Sequence, residues 1–401
     1  MSASHTPLSP RMVTWAIISL AVGGFGIGTT EFAMMGLLPN IADGVQVSIP
    51  EAGHLISAYA LGVVVGAPLL AALAAKLPRK QVVIGLMVLF TLGNLSSYFA
   101  PDFGTMLVTR FISGLPHGAF FGVAAVIAAS LVAPTKRGHA ISMVMMGLSI
   151  ANVVGVPLAT FVGQQFGWRL MFVLVAVIGL ITLACIAKFV PAQKVHADAS
   201  IRRELSALKR IQVWLALLIG VVGFGGFFAV YTYIAKTMTD VAGFNESFLP
   251  FIVGLYGVGM VAGNFVGGRL ADKSVMGSIY AVMGFIAVVL VVYAATVHIQ
   301  WMALLMVFVV GASGAMLVPS LQTRLLDVSP GAASLASSLN HSALNMANAL
   351  GAFVGGLVIA AGWGYVAPAL VGAVLAVLGL GIAATSGLLD RRRALDAGPA
   401  A

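Results

Sequence analysis

Tyr59-Ala60-Leu61-Gly62-Val63-Val64-Val65-Gly66, followed by Leu73-Ala74-Ala75-Lys76, recurs as Tyr256-Gly257-Val258-Gly259-Met260-Val261-Ala262-Gly263, followed by Leu270-Ala271-Asp272-Lys273. The offset is 197 residues, and it also carries Gly114 onto Gly311. A second stretch, LSIANVVG from Leu148 to Gly155, returns as LNMANALG from Leu344 to Gly351, shifted by 196. One such match is unsurprising in a chain rich in Gly, Ala and Leu. Three in the same order make the two halves of the sequence related copies.

Both copies lie in apolar runs. The 401 residues are 60% hydrophobic and 8% charged, against about 25% charged in soluble domains, so a soluble fold is excluded. Segments near 14–38, 54–75, 82–100, 105–131, 140–163, 169–190, 213–235, 249–271, 277–297, 301–323, 335–361 and 365–388 each approach the ~20 apolar residues that a helix needs to cross a bilayer core. Helices satisfy their own backbone polar groups, which lipid cannot do. The first segment is too long for the apolar part of a cleaved signal peptide and is expected in the mature protein. The repeat offset covers six spans, an even number, so the halves run parallel and are related by an axis along the membrane normal. The expected fold is an all-α membrane protein of twelve transmembrane helices in two six-helix halves. Residues 1–190 form the first bundle, 191–212 a cytoplasmic linker and 213–401 the second bundle. A binding site is expected near the midplane between them.

Eighteen of the 21 Lys and Arg fall on alternate connections, with Arg169 and Lys236 on the other face and Arg110 inside a span. Positive residues in short loops stay on the cytoplasmic side, so both termini are expected there. Topology, not nucleic-acid binding, then accounts for the net charge of +9. The single cysteine, Cys185, permits no intrachain disulfide and no cysteine-based metal site by itself. In the linker Ile201, Leu205, Leu208 and Ile211 recur at helical spacing among basic residues. That pattern suits a helix on an anionic leaflet or a solvated linker whose charge only fixes topology.

Glu31 is the one acid of twelve inside an expected span, about 27 Å along the first helix. A mid-membrane carboxylate costs roughly 2.5–3.5 kcal/mol and faces the bundle interior. Protonation removes that cost, which makes Glu31 a candidate proton carrier; bonding helices together is the other reading. Arg110, a few residues into span four, either snorkels to the outer headgroups or approaches Glu31. The glycines at 114, 118 and 122 read as close helix packing. In span five Gly155 and Pro157 bend the helix, and Asn152 can bond across helices or touch a substrate. His341, Asn345 and Asn348 share one face of span eleven and line a cavity or hold helices together. Tyr59 and Tyr256, the repeat partners, are placed with Asn152 and that stripe as substrate contacts. Phosphate-loop and HExxH patterns are absent from the sequence. Gly311-Ala312-Ser313-Gly314 has the form of an intramembrane serine protease motif with His341 as its base, but the repeat accounts for Gly311. A channel is disfavoured by the two-fold repeat.

At these residues the chain resembles the major facilitator superfamily, and within it the twelve-span drug:proton antiporters that include chloramphenicol-resistance and arabinose-efflux permeases. The family's span-one acidic motif fits around Glu31, its span-four RxxxG motif fits Arg110 and Gly114, and its antiporter Gly-x-Pro fits Gly155 and Pro157. The resemblance implies a transporter, not an enzyme, in a bacterial inner membrane. Glu31 would carry the proton, Arg110 would modulate it, and drugs such as amphenicols would leave between the halves by alternating access. Sugar efflux shares every motif. The implied partners are a small-molecule substrate, protons and the lipid bilayer; a monomer is expected, with no cofactor beyond the proton gradient. The family's loop after span two usually carries an Asp that helps lock the cytoplasmic gate, and Ala75 stands there instead. The second copy keeps Arg269 and Asp272, so a one-sided latch on Asp272 is expected.

Overall fold

The computed structural model describes residues 9–74, 77–133, 136–192, 206–330 and 333–396. Among these, twelve helices are long and apolar enough to cross a membrane: α1 (Pro10–Gly44), α2 (Ile49–Leu70), α3 (Arg79–Tyr98), α4 (Phe103–Ser130), α5 (His139–Phe166), α6 (Leu170–Phe189), α7 (Ile211–Thr232), α8 (Glu246–Lys273), α9 (Val275–Thr296), α10 (Gln300–Val328), α11 (Ser338–Ala360) and α12 (Ala367–Arg391). The described residues contain no strand. The helices outrun several of the apolar segments because main-chain bonding continues past the lipid-facing core. In α1, Ser9 caps the start by accepting from the Met12 amide at 3.3 Å, and Pro10 fills the first turn, where its missing N–H costs nothing. Twelve crossings bring Pro10 and Arg391 to the same end of the bundle, called here the near end.

The sequence repeat is a repeat of contacts. A methyl group added to Gly62 would overlap the carbonyl oxygen of Phe111, one on Gly66 that of Leu115, and one on Gly114 that of Tyr59. Gly259, Gly263 and Gly311 bear the same relation to Phe308, Ala312 and Tyr256, each pair displaced by 197 residues. In both halves glycine lets α2 and α4, or α8 and α10, touch backbone to backbone, the approach that small residues permit in membranes.

Two helices pass through π-helical turns, Ala151–Gly155 in α5 and Ile219–Gly223 in α7. The first ends two residues before Pro157. Proline has no N–H to give to the preceding turn, and a wider turn is one way for the ladder to pass it. The bulged segment lies between halves: Gly155 packs on Phe25 and Thr29 of α1, while Gly257 of α8 abuts the Asn152 carbonyl and Gly254 faces the Pro157 ring.

Large apolar side chains such as Leu92, Val108, Val288 and Val374 are more than half exposed around the outside, as a lipid-facing surface requires. Trp15 and Trp214 stand exposed near the near-end starts of α1 and α7, and Trp301 and Trp363 at the far end. Amphipathic rings favour those two levels of a bilayer. The linker helix anticipated over Ile201 and Leu205 lies outside the described residues, as does Ala75. The described part holds a 3-10 turn, Ser206–Lys209, ahead of α7.

Arg324, one of the eighteen positive charges counted on alternate connections, is drawn into the bundle. It sits in the last turns of α10, is 8% exposed, and donates to Gln212 Oε1 and Ser386 Oγ, each at 3.0 Å, and to the Asp390 carboxylate. The positive charge so near the helix end is held by groups from α7 and α12.

Candidate functional site

Glu31 lies in the middle third of α1, buried, and accepts no hydrogen bond among the described residues. It is the only acidic residue among the buried polar side chains described. Next to it Thr30 donates to Asn94 of α3. Arg110 reaches in from α4 and is wholly buried: Nη1 donates to Thr30 Oγ1 at 3.1 Å and Nη2 to the Thr30 carbonyl at 3.3 Å. Its guanidinium rests 4.4 Å from the centre of the Tyr59 ring, a cation–π contact. Arg110 therefore does not snorkel. Nor does it form an ion pair with Glu31 among the described residues; it is tied to the residue before it.

The nearest titratable partner is His117, which the sequence did not single out. Its Nε2 lies 4.0 Å from Glu31 Oε2, and its Nδ1 lies 3.1 Å from the Tyr59 hydroxyl. The ring also meets the other half of the molecule: His341 of α11 stands 6.2 Å away and stacks on Phe121 at 5.2 Å with planes 3° apart. Four helices, α1, α2, α4 and α11, thus converge on one small group of polar side chains. Glu31, Arg110, Tyr59 and His341 were marked in the sequence by charge, repeat or spacing; His117 was not, since a lone histidine in an apolar helix carries no signal until its neighbours are known.

Tyr59 and Tyr256 match in sequence and differ in surroundings. Tyr59 belongs to the Glu31 group, whereas Tyr256 lies face to face with Tyr231 of α7, centroids 4.0 Å apart and planes at 4°. Tyr231 in turn contacts Phe32, and Phe224, Phe227 and Phe228 complete an aromatic wall beside Glu31. Asn152 is adjacent to this wall through its contact with Gly257.

Several buried polar atoms near the middle of the bundle have no partner among the described residues: Asn152 Oδ1, the Tyr231 hydroxyl, Asn345 Oδ1 and both side-chain atoms of Asn348. Orphaned polar atoms in an apolar interior are costly unless something else satisfies them. Asn152 and Asn345 spend their amide N–H groups on carbonyls one turn back, Leu148 and His341. Of the expected gating residues, Gly155 and Pro157 form the interhalf seam already described. Arg269 and Asp272 are exposed at the near end, and no ion pair forms at either among the described residues. Ser313 donates to the Val310 carbonyl of its own helix at 2.9 Å, and His341 is engaged with His117 and Phe121 instead.

Comparison with known proteins agrees with this architecture. The profile of the Major Facilitator Superfamily matches residues 20–339. The inner membrane transport protein YdhP of Escherichia coli K12 is 43% identical over 368 residues, covering 92% of this chain and 95% of that one. A chloramphenicol resistance protein of Streptomyces lividans is 36% identical over 340 residues, covering 84% and 86%. Among solved structures, the human organic anion transporter MFSD10 (TETRAN) superposes with a TM-score of 0.69 at 16% identity, over 94% of this chain and all of that one.

Proposed function

The chain belongs to the Major Facilitator Superfamily, and from that premise we propose that it exports small organic molecules across a bacterial inner membrane in exchange for protons. It is a multi-pass transporter and not an enzyme. The observation that carries the finer reading is Glu31, a buried carboxylate without a hydrogen bond at the meeting of the two halves. Sealing it in the seam while ionised and unpaired costs roughly 2.5–3.5 kcal/mol. Protonation removes the charge. A bound compound with hydrogen-bond donors compensates the charge in another way. The halves therefore rock past each other when the site holds a proton or a substrate and resist doing so when it is empty, which is the condition for antiport.

The wall of Phe32, Phe224, Phe227, Phe228, Tyr231 and Tyr256 favours a ring-bearing, largely apolar compound such as an amphenicol over a sugar, whose hydroxyls each need a partner. The chloramphenicol resistance relative supports the same class. The near end is read as cytoplasmic from its excess of Lys and Arg. Reporters active only in the cytoplasm should therefore work after residue 137, and those active only in the periplasm after Asp102 or Glu246.

Glu31→Gln keeps the shape of the side chain and fixes it neutral. In inverted vesicles, pH-driven accumulation of radiolabelled chloramphenicol should be lost, while exchange of internal for external chloramphenicol persists at equal pH. Wild-type pH-driven accumulation by a well-folded variant would overturn the assignment. A growth screen against toxic compounds and sugars separates drug from sugar efflux.

A further inference from the structure

We propose that Tyr59, His117 and Glu31 form one hydrogen-bonded chain in which the His117 ring exchanges its tautomer to follow the protonation of Glu31. The inference rests on the carrier reading of Glu31 and assigns a purpose to two residues that reading does not need. The geometry is linear: the Tyr59 hydroxyl faces Nδ1 at 3.1 Å and the carboxylate faces Nε2 at 4.0 Å, on opposite edges of one buried ring. A small side-chain rotation brings the second separation to hydrogen-bond length.

A neutral imidazole has one N–H and one lone pair, and the partner of one nitrogen decides which the other presents. When Glu31 is ionised it can only accept, so His117 must present Nε2–H to it; Nδ1 is then the acceptor, and the Tyr59 hydroxyl donates. When Glu31 is protonated its O–H donates to Nε2, the ring carries its hydrogen on Nδ1, and the Tyr59 oxygen accepts. A hydroxyl is the side-chain group that reverses role without moving its heavy atom. No net charge is created on the ring in either state: the Nε2 hydrogen passes to the carboxylate, the Tyr59 hydroxyl hydrogen passes to Nδ1, and the one incoming proton restores the Tyr59 hydroxyl.

The surroundings fit this role. The other titratable or charged groups facing the chain are Arg110, whose guanidinium lies over the Tyr59 ring and holds that ring in place, His341 from α11, and Tyr231 from α7, which lies beside Phe32 on the Glu31 side. His341 reaches His117 from the opposite half, so the chain ends at the surface along which the halves separate. Every member of the chain is buried, so bulk water is not the competing partner. Tyr59 is thereby a positioning residue for the proton site.

The test uses histidine labelled with nitrogen-15 in the full chain reconstituted into liposomes, read by solid-state nuclear magnetic resonance. Resonances of His117 are assigned by their loss in His117→Gln. Protonation of Glu31 is followed separately, as the infrared carboxyl band that Glu31→Gln removes. The expected result is hydrogen on Nε2 at high pH and on Nδ1 at low pH, with the exchange at the pH where the Glu31 band appears. In Tyr59→Phe the ring should keep one tautomer throughout, with the other six histidines reporting that the fold is intact. A single tautomer across the titration of Glu31 in the wild type, a doubly protonated ring, or an exchange that survives in Tyr59→Phe overturns the proposal and leaves the carrier reading standing. Absence of any carboxyl band removed by Glu31→Gln overturns both.

Discussion

Arg110 holds Thr30 and not Glu31: both of its terminal nitrogens are spent on the hydroxyl and carbonyl of the residue that precedes the carboxylate. The cation thus fixes the turn of α1 that aims Glu31, and it acts on the carboxylate through space.

Substitution of Arg110 by lysine should separate these roles. A lysine keeps the charge but cannot span two acceptors while lying flat on the Tyr59 ring. Arg110→Lys is expected to insert and fold, with pH-driven chloramphenicol accumulation reduced about tenfold or more, the equivalent of ~1.4 kcal/mol. Arg110→Ala removes the buried anchor and should also lower thermal stability in detergent, by roughly 1.5–3 kcal/mol on the scale of a lost hydrogen bond from a charged group. Equal transport by wild type and Arg110→Lys would mean that the fork geometry is irrelevant.

Repeat glycines should respond alike in the two halves. Gly114→Ala and Gly311→Ala each place a methyl group on a facing carbonyl, and overpacking of that kind costs roughly 1–3 kcal/mol. Gly85, with open space around it, is the control and should tolerate alanine. Thermal unfolding of the three purified variants decides the matter; a stable Gly114→Ala would argue that α2 and α4 separate easily.

Gln164 of α5 donates to the Glu246 carbonyl of α8 at 2.9 Å, joining the halves at the far end. Cysteines at these two positions, in a background with Cys185 replaced, should be bridged by a short bifunctional thiol reagent. Bridging should stop export. Undiminished export by the bridged protein would show that the far end does not open.

Asp102 caps α4 by accepting from the Thr105 amide at 2.8 Å. That bond, with help from the Thr105 hydroxyl, holds its carboxyl below the usual carboxylate range. A depressed folded-state value contributes stability that is present above the unfolded value, about 3.9, and fades as pH falls through the folded one. Asp102→Asn keeps an accepting oxygen at the cap and should abolish this part of the acid dependence while leaving neutral-pH stability nearly unchanged. Melting curves of both proteins across mildly acidic pH provide the check.

The twelve crossings were legible because lipid demands long apolar helices, and Glu31 because a charge among them is conspicuous. Gly155 and Pro157 were legible as a bend, though not as a π turn, since a shifted hydrogen-bond ladder leaves no mark in residue type. His117, Tyr231 and Phe121 were not singled out. Their significance arises from neighbours 25 to 224 positions away in the chain, and no local spacing encodes that. Arg324 entered the sequence reading only as one of eighteen charges on one face, because Gln212, Ser386 and Asp390 had to be folded beside it before its burial could be seen.

Backbone pressed on backbone, as at Gly62 and Gly259, has no rotamers to relax. A pair of helices joined in that way behaves as a stiff lever: displacement at one tip is delivered to the other instead of being absorbed along the way. The compliant material lies elsewhere, in the side-chain contacts of α1 with α7. A displacement that starts beside Glu31 is accordingly passed on by such pairs to the ends of the molecule, and the glycines that merely fill space in the sequence decide how rigidly it travels.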